Sequence, residues 1–214
     1  MTGYKGFNND LTCKGFKYEI GKTYEMEEKP IICKRGFHFC NSLKKVLPNY
    51  PLHKKHTFCE VEALGDIASD AFYRKCCTNK IKVLRELDLD EILDIIGMKD
   101  KETFIKYYNN DRFDDHQMFL IYYGMEENLD VSVYAKPEFN ERQMHVMFRG
   151  LIDGLNISIY AHPEFNEDQM YLIYYGLREG LDVSSYAKPE LNYDQMHVML
   201  YELSRREKNN GHNI

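Results

Sequence analysis

Residues 140–165 read NERQMHVMFRGLIDGLNISIYAHPEF, and this segment decides the fold because its pattern occurs four times in the chain. Gln-Met pairs stand at Gln117-Met118, Gln143-Met144, Gln169-Met170 and Gln195-Met196, each 26 residues after the one before. Around them recur Gly124, Gly150 and Gly176; Leu129, Leu155 and Leu181; Ser132, Ser158 and Ser184; Tyr134-Ala135, Tyr160-Ala161 and Tyr186-Ala187; and Pro137, Pro163 and Pro189. Self-similarity at such a period marks a repeat architecture. Phe119-Leu-Ile-Tyr-Tyr-Gly and Tyr171-Leu-Ile-Tyr-Tyr-Gly alternate with His145-Val-Met-Phe and His197-Val-Met-Leu, so the array grew by duplication of a 52-residue block.

Each unit has a local physical logic. Asp114, Asn140, Asn166 and Asn192 stand three residues before Gln117, Gln143, Gln169 and Gln195, the spacing of a capping box, and predict a helix start in every unit. From Met144 the apolar residues fall at Met147, Phe148, Leu151 and Leu155, one buried helical face. Gly154 and Gly180, and Asn128 in the first unit, are placed to end the helix in a left-handed turn. The following Asp/Asn-Val/Ile-Ser-x-Tyr-Ala and the Pro behind it predict one helical turn and an extended link, with Phe139, Phe165 and Leu191 packing on the next helix's first turn. A helix of about 12–14 residues with one such turn cannot bury its apolar face alone, so neighbouring units must stack. The predicted fold is α+β: a small β-rich N-terminal domain followed by a short α-solenoid of four 26-residue repeats.

At about 100° per residue, Met118, Ile121, Tyr122, Met125 and Leu129 share one side and form the expected core. Leu120, Val146, Leu172 and Val198 share another side, aliphatic in all four units, which is expected to be covered by a neighbouring turn. What remains is a stripe carrying His116, Phe119, Tyr123, Arg142, His145, Arg149, Asp168, Tyr171, Tyr175, Arg178, Asp194, His197 and Tyr201. Tyrosine and arginine carry much of the energy of protein interfaces, and stacked repeats present such stripes as continuous surfaces. Phe119, Tyr123, Arg142, His145, Arg149, Tyr171, Tyr175, Arg178, His197 and Tyr201 are therefore the expected partner-binding residues; the competing expectation is that the rings fill gaps between helices.

Composition narrows the function. Residues 111–214 carry 9 Lys and Arg against 18 Asp and Glu, a balance of −9, which disfavours direct nucleic-acid binding because phosphate contacts need clustered cations. No apolar run approaches the roughly 18 residues of a membrane span, and Met1 to Lys14 lacks a signal-like stretch, so a cytoplasmic protein without membrane contact is expected. The six cysteines, Cys13, Cys33, Cys40, Cys59, Cys76 and Cys77, then read as reduced thiols.

Residues 3–86 alternate apolar and polar residues in short runs broken by Gly, Asn and Pro, as in YKGF, IICKRGFHFC, HTFCEVEALGDI and TNKIKVLREL, and predict strands. A short helix is expected at Asn41 to Leu47, further helices from Asp90 and over Lys101 to Tyr108, and a boundary at Asn109-Asn110-Asp111. The expected organisation is residues 1–87 as the β-rich domain, 88–110 as a helical connector, 111–208 as the repeats and 209–214 as a disordered tail. Cys13, Cys33, His38, Cys40 and Cys59 offer metal-ligand types, but no Cys-x2–4-Cys knuckle exists, and no metal or cofactor is expected. Glu60 and Glu62, two apart on a strand, face the same way and could serve one ligand as a general acid–base pair, or could mark a solvated face.

Gly3-Tyr-Lys-Gly-Phe, Leu11-Thr-Cys-Lys-Gly-Phe-Lys-Tyr-Glu with Gly21-Lys-Thr-Tyr, Cys33-Lys-Arg-Gly-Phe-His-Phe-Cys, Phe58-Cys-Glu-Val-Glu-Ala and Lys80-Ile-Lys-Val-Leu-Arg-Glu-Leu resemble an N-terminal domain of unknown function found in phage and Gram-positive mobile-element proteins. The Gln-Met, Gly-Leu-Asp-Val-Ser and Tyr-Ala-x-Pro-Glu-Phe repeat is similar to one at the ends of such proteins. That resemblance implies a phage or mobile-element setting and no mechanism. Tyr4-Lys-Gly-Phe, Gly36-Phe-His-Phe and Phe58-Cys-Glu-Val-Glu more loosely resemble ADP-ribosyltransferase-like folds, although Lys5 stands where those enzymes place His or Arg to hold the nicotinamide nucleotide. Two function classes follow. One is a non-enzymatic module that binds a host or phage protein, such as an inhibitor of a host defence factor like a CRISPR effector. The other is a transferase, or its degenerate NAD-binding scaffold, built on Lys5, Tyr18, His38, Glu60 and Glu62.

Overall fold

A computed structural model describes residues 1–70 and 75–210 and has an α+β architecture, with the strands within residues 2–86 and six α-helices after them among the described residues. The chain divides into two compact units, Met1–Phe119 and Leu120–Ile214. The division falls inside a helix, beyond the Asn109–Asp111 cluster of turn residues.

In the first unit the strands are β1 (Thr2–Asn8), β2 (Thr12–Cys13), β3 (Phe16–Lys17), β4 (Thr23–Glu25), β5 (Phe37–Phe39), β6 (His56–Ala63), β7 (Ile67–Ser69), β8 (Cys76–Thr78) and β9 (Lys80–Glu86). They form an antiparallel sheet of order β1-β6-β9-β4, a β5-β8-β7 sheet and the β2-β3 hairpin. Alternation puts Cys59, Val61 and Ala63 of β6 on one face, with Phe7, Ile81 and Val83 beside them, and Tyr18, Phe37, Phe39 and Cys76 pack against that face. Tyr18 meets Phe16 and Tyr24 edge-on, with ring centroids 4.7 and 5.2 Å away. The β2-β3 hairpin turns on Lys14 (φ 51°) and Gly15 (φ 77°), the left-handed pair that a two-residue hairpin of primed type requires.

Two helices follow as expected: α1 (Leu89–Ile96), started by a capping box between Asp88 and Glu91, and α2 (Lys101–Tyr108), capped by Asp100. The helix expected at Asn41 to Leu47 is shorter, a single 3-10 turn at Leu43–Lys45 that buries Leu43. Next, α3 (Asp115–Glu126) spans the division between the units.

The second unit holds α4 (Glu141–Ile152), α5 (Glu167–Arg178) and α6 (Tyr193–Asn210), with 3-10 turns at Val131–Val133, Ile157–Ile159 and Val183–Ser185. α6 thus runs into the expected tail, of which residues 211–214 lie outside the described residues. Every predicted capping box is made. The Gln143 amide donates to Asn140 Oδ1 (2.9 Å) while the Asn140 amide donates to Gln143 Oε1 (2.8 Å), and Asp114/Gln117, Asn166/Gln169 and Asn192/Gln195 repeat the exchange. Asn128, Gly154 and Gly180 take φ of 57°, 70° and 75°, closing the helices with Leu129, Leu155 and Leu181 amides on the carbonyls of Gly124, Gly150 and Gly176.

α4 packs on α5, and α5 on α6. The side-chain amide of Gln143 donates to the Phe165 carbonyl (2.7 Å) and that of Gln169 to the Leu191 carbonyl (2.6 Å), so the residue that caps one helix also holds the entry to the next. The aliphatic second side behaves as predicted in three helices: Leu120, Val146 and Leu172 are buried. Val198, the same position in α6, is instead 55% exposed, and Gln195 is exposed with it. Val198 stands on α6, the last helix among the described residues.

Candidate functional site

None of the ten stripe residues is buried. Phe119 and Tyr123, on α3, are partly exposed, and the other eight gather into local groups. Arg142 and His145 of α4 and Tyr171 of α5 line one groove of about 350 Å³ together with Glu141, Val146, Glu167 and Asp168. There Arg142 Nη1 reaches Glu167 Oε1 at 3.3 Å, an exposed pair that orients the guanidinium and contributes little stability. In a second group the Arg149 guanidinium lies 5.3 Å from the centre of the Tyr174 ring, and that of Arg178 lies 5.3 Å from Tyr175 and 5.8 Å from Tyr174. The Tyr174 hydroxyl donates to Asp153 Oδ2 at 2.7 Å. In a third, the His197 imidazole stacks on Tyr193 with centroids 5.7 Å apart and planes 16° from parallel, and Tyr201 stands one turn further along α6.

Two of these partners escape stripe reasoning. Tyr174 occupies a core position and is buried, yet it is the ring over which Arg149 and Arg178 lie. Tyr193 fills the first helical position, taken by Glu141 and Glu167 in the preceding units, and exposes its ring there. The substitution of a ring for a carboxylate within an otherwise regular repeat is the signal that could have found it.

The β-rich unit holds a separate concavity of about 340 Å³, bordered by β1, the β2-β3 hairpin, the Cys33–Cys40 segment and the stretch from Val46 to Tyr50. Lys5, His38, Cys13, Cys33, Cys40 and Tyr50 all line it. The Lys5 ammonium donates to the His38 carbonyl (2.8 Å) and to Cys13 Sγ (3.4 Å), and the Tyr50 hydroxyl donates to the same sulfur (3.2 Å). His38 Nε2 accepts the Cys33 amide at 3.0 Å. Burial lowers the Lys5 pKa from its usual 10.5, and burial together with the neighbouring Lys5 and Lys14 charges lowers that of His38. Burial and the bond to Cys13 raise the Tyr50 phenol.

Of the residues expected of a transferase, the pocket brings together Lys5 and His38. Tyr18 is buried in the core with its ring centre 5.4 Å from the Lys5 ammonium. Glu60 and Glu62 do not line the pocket. Lys5 pairs with Cys59 across β1 and β6, so Glu60, one residue on, stands on the opposite face, where Arg85 binds it (2.8 Å) and also binds Glu91 (2.7 Å). Cys59 lies in the core, its thiol pushed up to about 12 by burial, and Cys76 and Cys77 are buried as well. Among the described residues no group of three or more His, Cys, Asp or Glu side chains is arranged to hold a metal ion. Nor is any helix among them long and apolar enough to cross a membrane.

Residues 1–95 match a family model described as a domain of unknown function (DUF7666). No curated protein and no solved structure matches the chain.

Proposed function

We propose that the 26-residue units form a short α-solenoid and that this array is a non-enzymatic protein-binding module. One contrast among its tyrosines carries this conclusion. Tyr134, Tyr160, Tyr174 and Tyr186 fill the interior and are buried, whereas Tyr171 and Tyr201 are 46% and 60% exposed. The gap-filling role is thus taken by other rings, and those on the stripe stand beside arginine and histidine side chains, the composition of an interface hot spot. The acidic balance of the repeats suits a basic partner. A host protein that handles nucleic acid in the cytoplasm, such as a CRISPR effector met by a phage product, has that chemistry.

The test is affinity purification from host lysate with the wild-type chain and with a Tyr171→Ala, His197→Ala, Tyr201→Ala variant whose thermal unfolding is unchanged. Each replacement is expected to weaken binding by about 1–2 kcal/mol. A partner held by the wild type and lost by the variant supports the module. A partner held equally by both, or none above background, overturns it.

A further inference from the structure

The anomaly lies in the first unit, where the buried Lys5 ammonium has no carboxylate among its hydrogen-bond partners in the described residues. Lys5 is only 6% exposed, yet its Nζ has a carbonyl, a thiol and the faces of Phe7 and Tyr18 for company, both ring centres 5.4 Å away. Buried charges in proteins are ordinarily paired with opposite charge, because an unpaired ion loses its hydration without recompense. The lowered Lys5 pKa expresses that loss. Lys14 and Lys75 line the same cavity, and among its described lining residues there is no Asp or Glu. Three lysines thus border one concavity with no carboxylate among its described lining residues, in the basic part of the chain: residues 1–110 carry 19 Lys and Arg against 16 Asp and Glu.

The walls are equally directional. Asn49, Tyr50 and His38 supply polar groups, while Phe39 and Val46 supply apolar surface. Gly6 lets the Tyr50 ring lie directly on β1, where any side chain at that position would overlap it. The volume lies in the range of small-molecule sites.

We propose that this pocket binds a small organic oxyanion, a phosphate ester or a carboxylate on a compact apolar body, with its charged group paired to Lys5 and flanked by Lys14 and Lys75. The site is independent of protein binding by the repeats. Phosphate esters and carboxylates share the chemistry that Lys5 would recognise, and titration of the full-length chain with phenyl phosphate and with benzoate tells them apart, with benzyl alcohol as the uncharged control. At least one anion is expected to bind and to raise the unfolding temperature, the tighter of the two naming the head group, while benzyl alcohol does neither. Lys5→Met should weaken the anion about tenfold or more, the usual size of a lost charge-assisted hydrogen bond. Lys75→Met, at an exposed position, should weaken it severalfold without affecting the fold, and it decides the matter if Lys5→Met does not fold. Binding of neither anion, equal binding of benzyl alcohol, or unchanged affinity in the folded lysine variants overturns the proposal.

Discussion

The hydroxyl of Tyr160 lies so close to Gly150 that a methyl group on the glycine would overlap it, and Tyr134 with Gly124 and Tyr186 with Gly176 repeat the arrangement. In two of the three pairs the hydroxyl also donates to a helix carbonyl, Tyr134 to Leu120 at 2.8 Å and Tyr186 to Leu172 at 3.1 Å. The glycine in each helix is therefore a packing residue, kept small for a ring that arrives from the following turn.

Gly150→Ala separates two opposed effects by sign. Helix propensity alone would stabilise the variant by about 1 kcal/mol. Overpacking against the Tyr160 hydroxyl and Ile157 costs about 1–3 kcal/mol and is expected to win, because both neighbours are buried and cannot yield. Urea unfolding should show net destabilisation; a gain in stability would mean that the ring moves aside freely.

Gln143→Ala and Gln195→Ala remove the same side chain from equivalent positions, but with unequal consequences. At Gln143 the change breaks the capping box and leaves the buried Phe165 carbonyl without its donor, for an expected loss of about 2–3 kcal/mol. At the exposed Gln195 the cap is the interaction lost among the described residues, and a loss of about 1 kcal/mol or less is expected. Equal losses in chemical denaturation would show that the bond between units contributes nothing.

Lys5 gives a pH dependence of defined direction. Its pKa is lowered in the folded chain, first of all by burial, from an ordinary 10.5. Between the lowered value and 10.5 the unfolded chain binds a proton that the folded chain has released, so stability attributable to Lys5 rises with pH across that window. Lys5→Met lacks this contribution. The stability of the wild type minus that of the variant, measured by thermal unfolding from neutral to alkaline pH, is expected to climb. A flat or falling difference would show that the ammonium is not penalised by its surroundings.

What the residue string reveals follows the range of the forces involved. Capping boxes, left-handed helix ends and the alternation of β6 are decided within a few residues, and Asn140 with Gln143, Gly154, and Cys59 with Val61 are all found where local chemistry puts them. Strand pairing is different. The choice of Cys59 rather than Glu60 opposite Lys5 is made by the register of β1 on β6, and a one-residue offset is enough to separate Lys5 from both carboxylates. Val198 illustrates another limit: its helix repeats the pattern of α4, yet Val146 is buried and Val198 exposed, a difference that the repeat motif itself does not carry. The pocket lysines, Lys5, Lys14 and Lys75, are scattered along the chain and share no pattern that marks them as neighbours.

Gln143 and Gln169, each spanning from its own cap to the next segment's carbonyl, also restrict how such an array can change its length. Removing or adding a fraction of a period would strand an amide from its acceptor, whereas deleting a whole period joins one glutamine to an equivalent carbonyl. Insertions and deletions should therefore be tolerated in quanta of 26 residues, and more easily in steps of 52, which keep alternate helix faces in sequence.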